Sequence, residues 1–85
     1  MISEEKAYSI ALKEILKDFP YYKLKTMYDI DDKYLFVFDN AENFVLVDKN
    51  NGKSSRIHFL TAMLDYPDIE SYPKINFNKF LKRVS

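Results

Sequence analysis

Between residues 3 and 19, apolar side chains fall at Tyr8, Ala11, Leu12, Ile15, Leu16 and Phe19, the i, i+3, i+4, i+7 spacing that lines one face of a helix. Ser3 stands where an N-cap is wanted, Glu4 and Glu5 suit the positive helix start, and Pro20 ends the pattern. After Pro20 the period falls to two. Leu24, Thr26 and Tyr28 share one side of a first strand, with Lys23, Lys25 and Met27 on the other, and Asp29 to Asp32 reads as a turn. Residues 33 to 39 place Tyr34, Phe36 and Phe38 on one face and Leu35 and Val37 on the other, which predicts a central strand. A turn at 39 to 42 leads to a third strand over 43 to 49, again apolar on both sides. Residues 53 to 60 then alternate as an edge strand, with Ile57 and Phe59 opposite Arg56 and His58.

Three short connections between four such strands imply an antiparallel meander. The stretch "LVDKNNGKSS" ends in Gly52-Lys53-Ser54, the close of a phosphate-binding loop, but Val47 stands where that loop needs its first glycine. Asn51-Gly52 between two alternating runs is read instead as a two-residue hairpin of type I′, with positive φ at both positions. Past Leu60 the pattern weakens. Residues 61 to 66 allow one helical turn before Pro67, and "DYPDIESYPKI" repeats Tyr-Pro-x-Ile with an offset of six residues. Two prolines so close exclude a regular helix or central strand, so an extended strap with Ile69 and Ile75 plugged into the core is expected, a peptide-like docking motif being the sharper alternative. Asn76 as a cap, then Phe77, Phe80, Leu81 and Val84, predicts a short C-terminal helix. The fold expected is therefore α+β: an N-terminal helix on a four-stranded antiparallel meander, then a proline-containing strap and a short helix.

With 85 residues the chain has room for one domain, 1 to 85, and its seven Tyr and seven Phe make aromatic packing the natural core. It contains no Cys, which removes disulfides and thiolate chemistry. The first residues lack the basic and apolar runs of a signal peptide and no segment is long enough to span a bilayer, so a cytoplasmic location without membrane association is expected. Thirteen Lys plus Arg balance thirteen Asp plus Glu, which disfavours nucleic acid as a partner. The balance hides segregation: residues 29 to 48 carry a net minus five, 49 to 58 plus three, 65 to 70 minus three and 74 to 83 plus four. In a meander the first and third turns share one end of the sheet, so Asp29, Asp31 and Asp32 should approach Lys49 and Lys53. Either those charges satisfy one another, or, with Arg56 and His58, they form a polar end that orients a partner.

His58 is the lone histidine, and nothing in the sequence sets a nucleophile or a carboxylate beside it, so no catalytic site is expected. The aspartates at 29, 31 and 32 do not continue as a calcium loop, since Tyr34 and Asn40 occupy its glycine and closing-glutamate positions. No metal and no cofactor are expected. Tyr34, Phe36 and Phe38 could stack on bases, but they lack interleaved Lys or Arg and are read as core.

The order helix, meander, then "FVLVDKNNGK" resembles the small α/β domains of the PepSY type and of the bacterial immunity protein 35 family, over roughly residues 4 to 58. In those families a strand ending in a Val-Asp-Lys-like segment runs into a polar turn with Gly, as residues 45 to 53 do here. The resemblance implies a small non-enzymatic module that binds and neutralises another protein, such as an immunity protein or a phage- or plasmid-borne inhibitor. A second expectation comes from packing. Leu35, Val37, Val45 and Val47 are read as a second apolar face that one helix cannot cover, available for a homodimer or an assembly role. A third, weaker reading is nucleic-acid binding by the basic tail at Lys74, Lys79, Lys82 and Arg83.

Overall fold

The Ser3 hydroxyl accepts the Lys6 amide at 3.0 Å and starts helix α1, Glu4–Leu16. We describe a computed structural model of the chain for residues 1 to 81. The fully buried positions of α1 are Ala7, Ala11 and Ile15, with Tyr8, Leu12 and Leu16 half-buried beside them. Two alanines at the centre of that stripe let the helix axis come close to the sheet. The helix stops at Leu16, four residues before Pro20. The Asp18 and Phe19 amides both turn back to the Ile15 carbonyl, and Phe19 then stacks on Tyr22 at 4.7 Å.

Four strands follow as a meander: β1 Leu24–Ile30, β2 Lys33–Phe38, β3 Asn43–Asp48 and β4 Ser54–His58. Asp31 and Asp32 alone make the first turn, with Asp31 at a φ of 51°, a conformation that Asp tolerates better than most residues. The third connection is a hairpin, as expected, but not of type I′. Only Gly52 has positive φ there, at 73°. The Asp48 carboxylate gathers the amides of Asn50 and Asn51 at 2.8 and 3.3 Å, the Asn51 side chain accepts from the Lys53 amide, and the loop widens to residues 49 to 53. A Cβ at position 52 would sit 3.3 Å from Ile10 of α1, so the glycine also permits helix and turn to touch.

Directly opposed residues of an antiparallel pair share a face, and the observed register pairs Phe36 with Val45, Tyr34 with Val47 and Leu35 with Leu46. The face under α1 therefore holds Met27, Tyr34, Phe36, Phe38, Val45 and Val47. The other face holds Tyr28, Ile30 and Leu35, with Val37, Phe44, Leu46 and Ile57 half-buried around them. This corrects the grouping of Leu35, Val37, Val45 and Val47: the two valines at 45 and 47 lie under the helix, completely buried. β1 carries a second correction. Its pairing with β2 slips between Leu24 and Thr26, leaving Lys25 as a bulge residue. Leu24 thereby joins the helix face with Met27, while Thr26 and Tyr28 stay on the opposite one.

β4 ends two residues earlier than its alternation suggests. The His58 Nδ1 accepts the Leu60 amide at 3.2 Å, capping a helix α2, Phe59–Asp65, so Phe59 opens a helix instead of closing a strand. Pro67 limits α2. The strap beyond it is packed: Tyr66, Ile69 and Tyr72 lie on the second sheet face, and residues Ile69–Ser71 form one 3₁₀ turn. Ile75 plugs into the helix-side core, as expected, and Lys74–Ile75 form a short strand β5 on β1. The sheet order is thus β4-β3-β2-β1-β5, a meander with one added strand. The last helix, α3, Asn78–Leu81, follows Asn76, whose side chain accepts the Asn78 amide at 3.2 Å. Its Phe80 and the preceding Phe77 pack on Tyr8, so this segment closes the helix side of the sheet rather than the second face. Val84, Lys82 and Arg83 lie outside the described residues.

Candidate functional site

The two charged turns meet, and part of their charge is paired across them. Lys49 makes an ion pair with Asp29 and lies 4.8 Å from the centre of the Tyr34 ring, while its amide donates to the Asp32 carbonyl at 2.9 Å. Lys33 bridges Asp32 and Asp48 at 3.4 and 3.8 Å. The Asn50 amide, helped by Asn51 and Lys33, holds the Asp48 carboxyl below its ordinary range. Arg56 reaches across to the end of α1, where its Nε donates to Glu14 at 3.0 Å and its Nη2 to the Glu14 carbonyl and to Asp18. A cation at a helix C-terminus is favourably placed, and Asp18 chiefly raises the guanidinium pKa further. His58 is occupied as the α2 cap. Of the seven residues proposed for a polar docking end, Asp29, Asp32, Lys49, Arg56 and His58 each have an intramolecular partner, and Asp31, Asp32 and Lys53 stand exposed at the turns. Among the described residues no group of three or more His, Asp or Glu side chains gathers as a metal site.

A different surface emerges on the second face. The outward side of α2 presents Leu60, Met63 and Leu64, which are 55, 60 and 81% exposed and stand at i, i+3, i+4. This apolar ridge borders an open cleft with a volume of about 290 Å³, whose apolar lining includes Val37, Phe44, Phe59, Met63 and Ile69. The cleft shares Lys25, Val37, Phe44 and Phe59 with a second hollow of about 410 Å³, which Asp39 and Glu42 also line. Its opposite wall is formed by Lys25, Thr26, Glu70 and Lys74. An exposed apolar helix thus stands beside an apolar cleft with charged residues in its lining.

The strap wall of this cleft is latched by one triad. The Tyr28 hydroxyl donates to Glu70 Oε1 at 2.9 Å, and Lys74 donates to Glu70 Oε2 at 3.0 Å while lying 5.9 Å from the Tyr28 ring centre. Burial, reinforced by Glu70, pushes the Tyr28 pKa from 10.0 up to about 12. Lys74 first, then Tyr28, lowers that of Glu70. The two shifts set a window. The tyrosine contribution is intact below pH 10 and is lost as pH rises toward 12, whereas the Glu70 contribution holds above the ordinary carboxylate range and is lost on acidification through its lowered value. Tyr28→Phe should remove the most alkaline step from a spectrophotometric titration of the seven tyrosines and leave the earlier steps in place. Loss of a step near the ordinary tyrosine value, with the most alkaline step still present, would mean that Tyr28 is not the group that burial and Glu70 hold highest.

Sequence reading missed this surface although its signal was present. Leu60, Met63 and Leu64 have helical spacing, but Leu60 also completes the alternation of residues 53 to 60, and the strand reading absorbed it. Among the described residues no helix is long and apolar enough to cross a membrane. The chain matches no known protein family, no curated protein and no solved structure.

Proposed function

We propose that this chain is a small, non-enzymatic protein-binding module of the immunity or inhibitory type, and that it engages its partner through the α2 ridge and the neighbouring cleft. The observation that carries this reading is the exposure of Leu60, Met63 and Leu64 on a helix whose inward side, at Ala62, is already packed. Large apolar side chains left more than half exposed on a short helix bury little in the fold that bears them, and they would supply the buried centre that a stable protein contact needs. The turn tips at Asp31, Asp32 and Lys53 are assigned at most to steering, since exposed charges alter association rates more than affinity.

The test is capture of a partner from native host lysate by three immobilised forms. Wild type and a turn-tip variant, Asp31→Asn with Asp32→Asn and Lys53→Gln, should retain the same protein. Leu60→Asp with Leu64→Asp should lose it, by more than about tenfold in affinity, because each leucine buried at a contact is worth roughly 1.5–3 kcal/mol. Both positions are exposed, so circular dichroism should show all three forms equally folded. Equal capture by the α2 variant, or no protein specific to wild type, would overturn the assignment.

A further inference from the structure

We infer that the partner seated on this surface in the free protein is a second copy of the same chain, in a two-fold symmetric dimer with α2 of each subunit lying in the cleft of the other. The inference rests on the reading of the α2 surface as a protein contact and adds to it the identity of an occupant. Its basis is that one face carries both halves of a fit. Leu60, Met63 and Leu64 make a convex apolar ridge, Val37, Phe44 and Phe59 line a concave apolar cleft, and Met63 belongs to both. An isologous contact requires a self-complementary patch of this kind. Because ridge and cleft lie side by side on one face, a single two-fold operation fills both clefts at once and the assembly closes. Ridge and cleft on opposite faces would instead join copies head to tail without closure.

The area is sufficient. A ridge side chain of this size removes on the order of 100 Å² from water, with about as much again from the wall it covers. Three per copy, doubled by symmetry, give roughly 1,200 Å², the lower end of what specific interfaces bury. Lys25, Lys74 and Glu70 along one wall, with Asp39 and Glu42 in the adjoining hollow, leave a charged rim around that apolar centre. An interface of this size supports reversible association, so an unlike partner that uses the same ridge would bind the monomer and draw the dimer apart.

Light scattering during size exclusion, over about a hundredfold range of concentration, tests this directly. The expected mass rises from 10.1 kDa toward twice that value, and dimer persists in about 1 M salt, since an apolar contact is not screened. Leu64→Asp should stay at the monomer mass throughout with unchanged circular dichroism, while Lys53→Gln should dimerise like wild type. A monomer at every concentration would overturn the dimer and leave the protein-binding assignment to the capture experiment, where an unlike protein lost with the α2 variant would then be the occupant. A dimer that survives both Leu64→Asp and Met63→Asp, or that salt dissociates, would overturn it as well, by placing the contact elsewhere.

Discussion

Replacing Phe36 with Ala is expected to lower the folding free energy by about 3–5 kcal/mol, the usual cost of removing a buried phenyl ring and leaving its space unfilled. Phe36 is completely buried in the central strand, opposite Val45 and in the same buried cluster as the alanines of α1. A chain of this length has a total stability on the order of 4–13 kcal/mol, so the variant should lie close to half-unfolded or show its urea midpoint displaced by more than about 1 M. A loss below about 1 kcal/mol would mean that the helix side collapses around the gap and that the packing described for that face is not what holds the sheet.

The neighbouring residue tests the other side. Leu35→Ala should cost about 2–5 kcal/mol, because Leu35 is also completely buried, in a cluster that includes no residue of α1. What covers it is the strap, through Tyr66, Ile69 and Tyr72. The loss should therefore have a local signature that Phe36→Ala lacks: faster hydrogen exchange at the Asp29 amide, which donates to the Pro73 carbonyl at 2.9 Å, and at the Tyr72 amide, which bonds to Ile69. Equal exchange at those amides in both variants would show that the two faces open together and that the strap is not a separate layer.

Those two adjacent residues also show how far the sequence could be read. Alternation within β2 separated Phe36 from Leu35 correctly, since the period of a strand is fixed by its pleat. Alternation does not fix the phase of one strand against the next. That phase comes from the length of the connection, here Asp39 to Glu42 with Asn40 at a φ of 52°, and it put Val45 opposite Phe36 rather than Leu35. Lys25 escaped for a related reason: a bulge inserts one residue and moves Leu24 to the other face without any change in residue type that would mark it. β5 contains two residues, fewer than any period needs to declare itself, and becomes a strand only because β1 offers an edge. α1, with four turns of pattern and a cap, required no tertiary help to be recognised.

The candidate site was legible in its parts and not in its arrangement. Charge segregation correctly placed "DIDD" beside "KNNGK", but proximity also let Asp29 and Lys49 neutralise each other and Lys33 bridge Asp32 to Asp48. Opposite charges on neighbouring turns of one small sheet find each other before they find a partner. Arg56 could not be assigned from strand pattern alone, because its partners Glu14 and Asp18 are some forty residues away in sequence, one in the last turn of α1 and the other just beyond its end. The ridge on α2 became visible only once His58 was seen to turn the chain.

The pairing of β5 with β1 also bears on the order in which the molecule assembles. The hairpins of the meander close loops of a few residues, whereas joining Ile75 to Met27 closes about fifty, a difference of roughly 2 kcal/mol in closure entropy. Contacts with that separation form late, after the meander and α1 have made a surface to receive them. Ile69, Glu70 and Lys74 arrive with that last step and complete the wall of the cleft. A nascent or half-folded chain consequently exposes the α2 ridge before the cleft beside it is complete, so the proposed pairing between two copies would have to wait until each has finished folding.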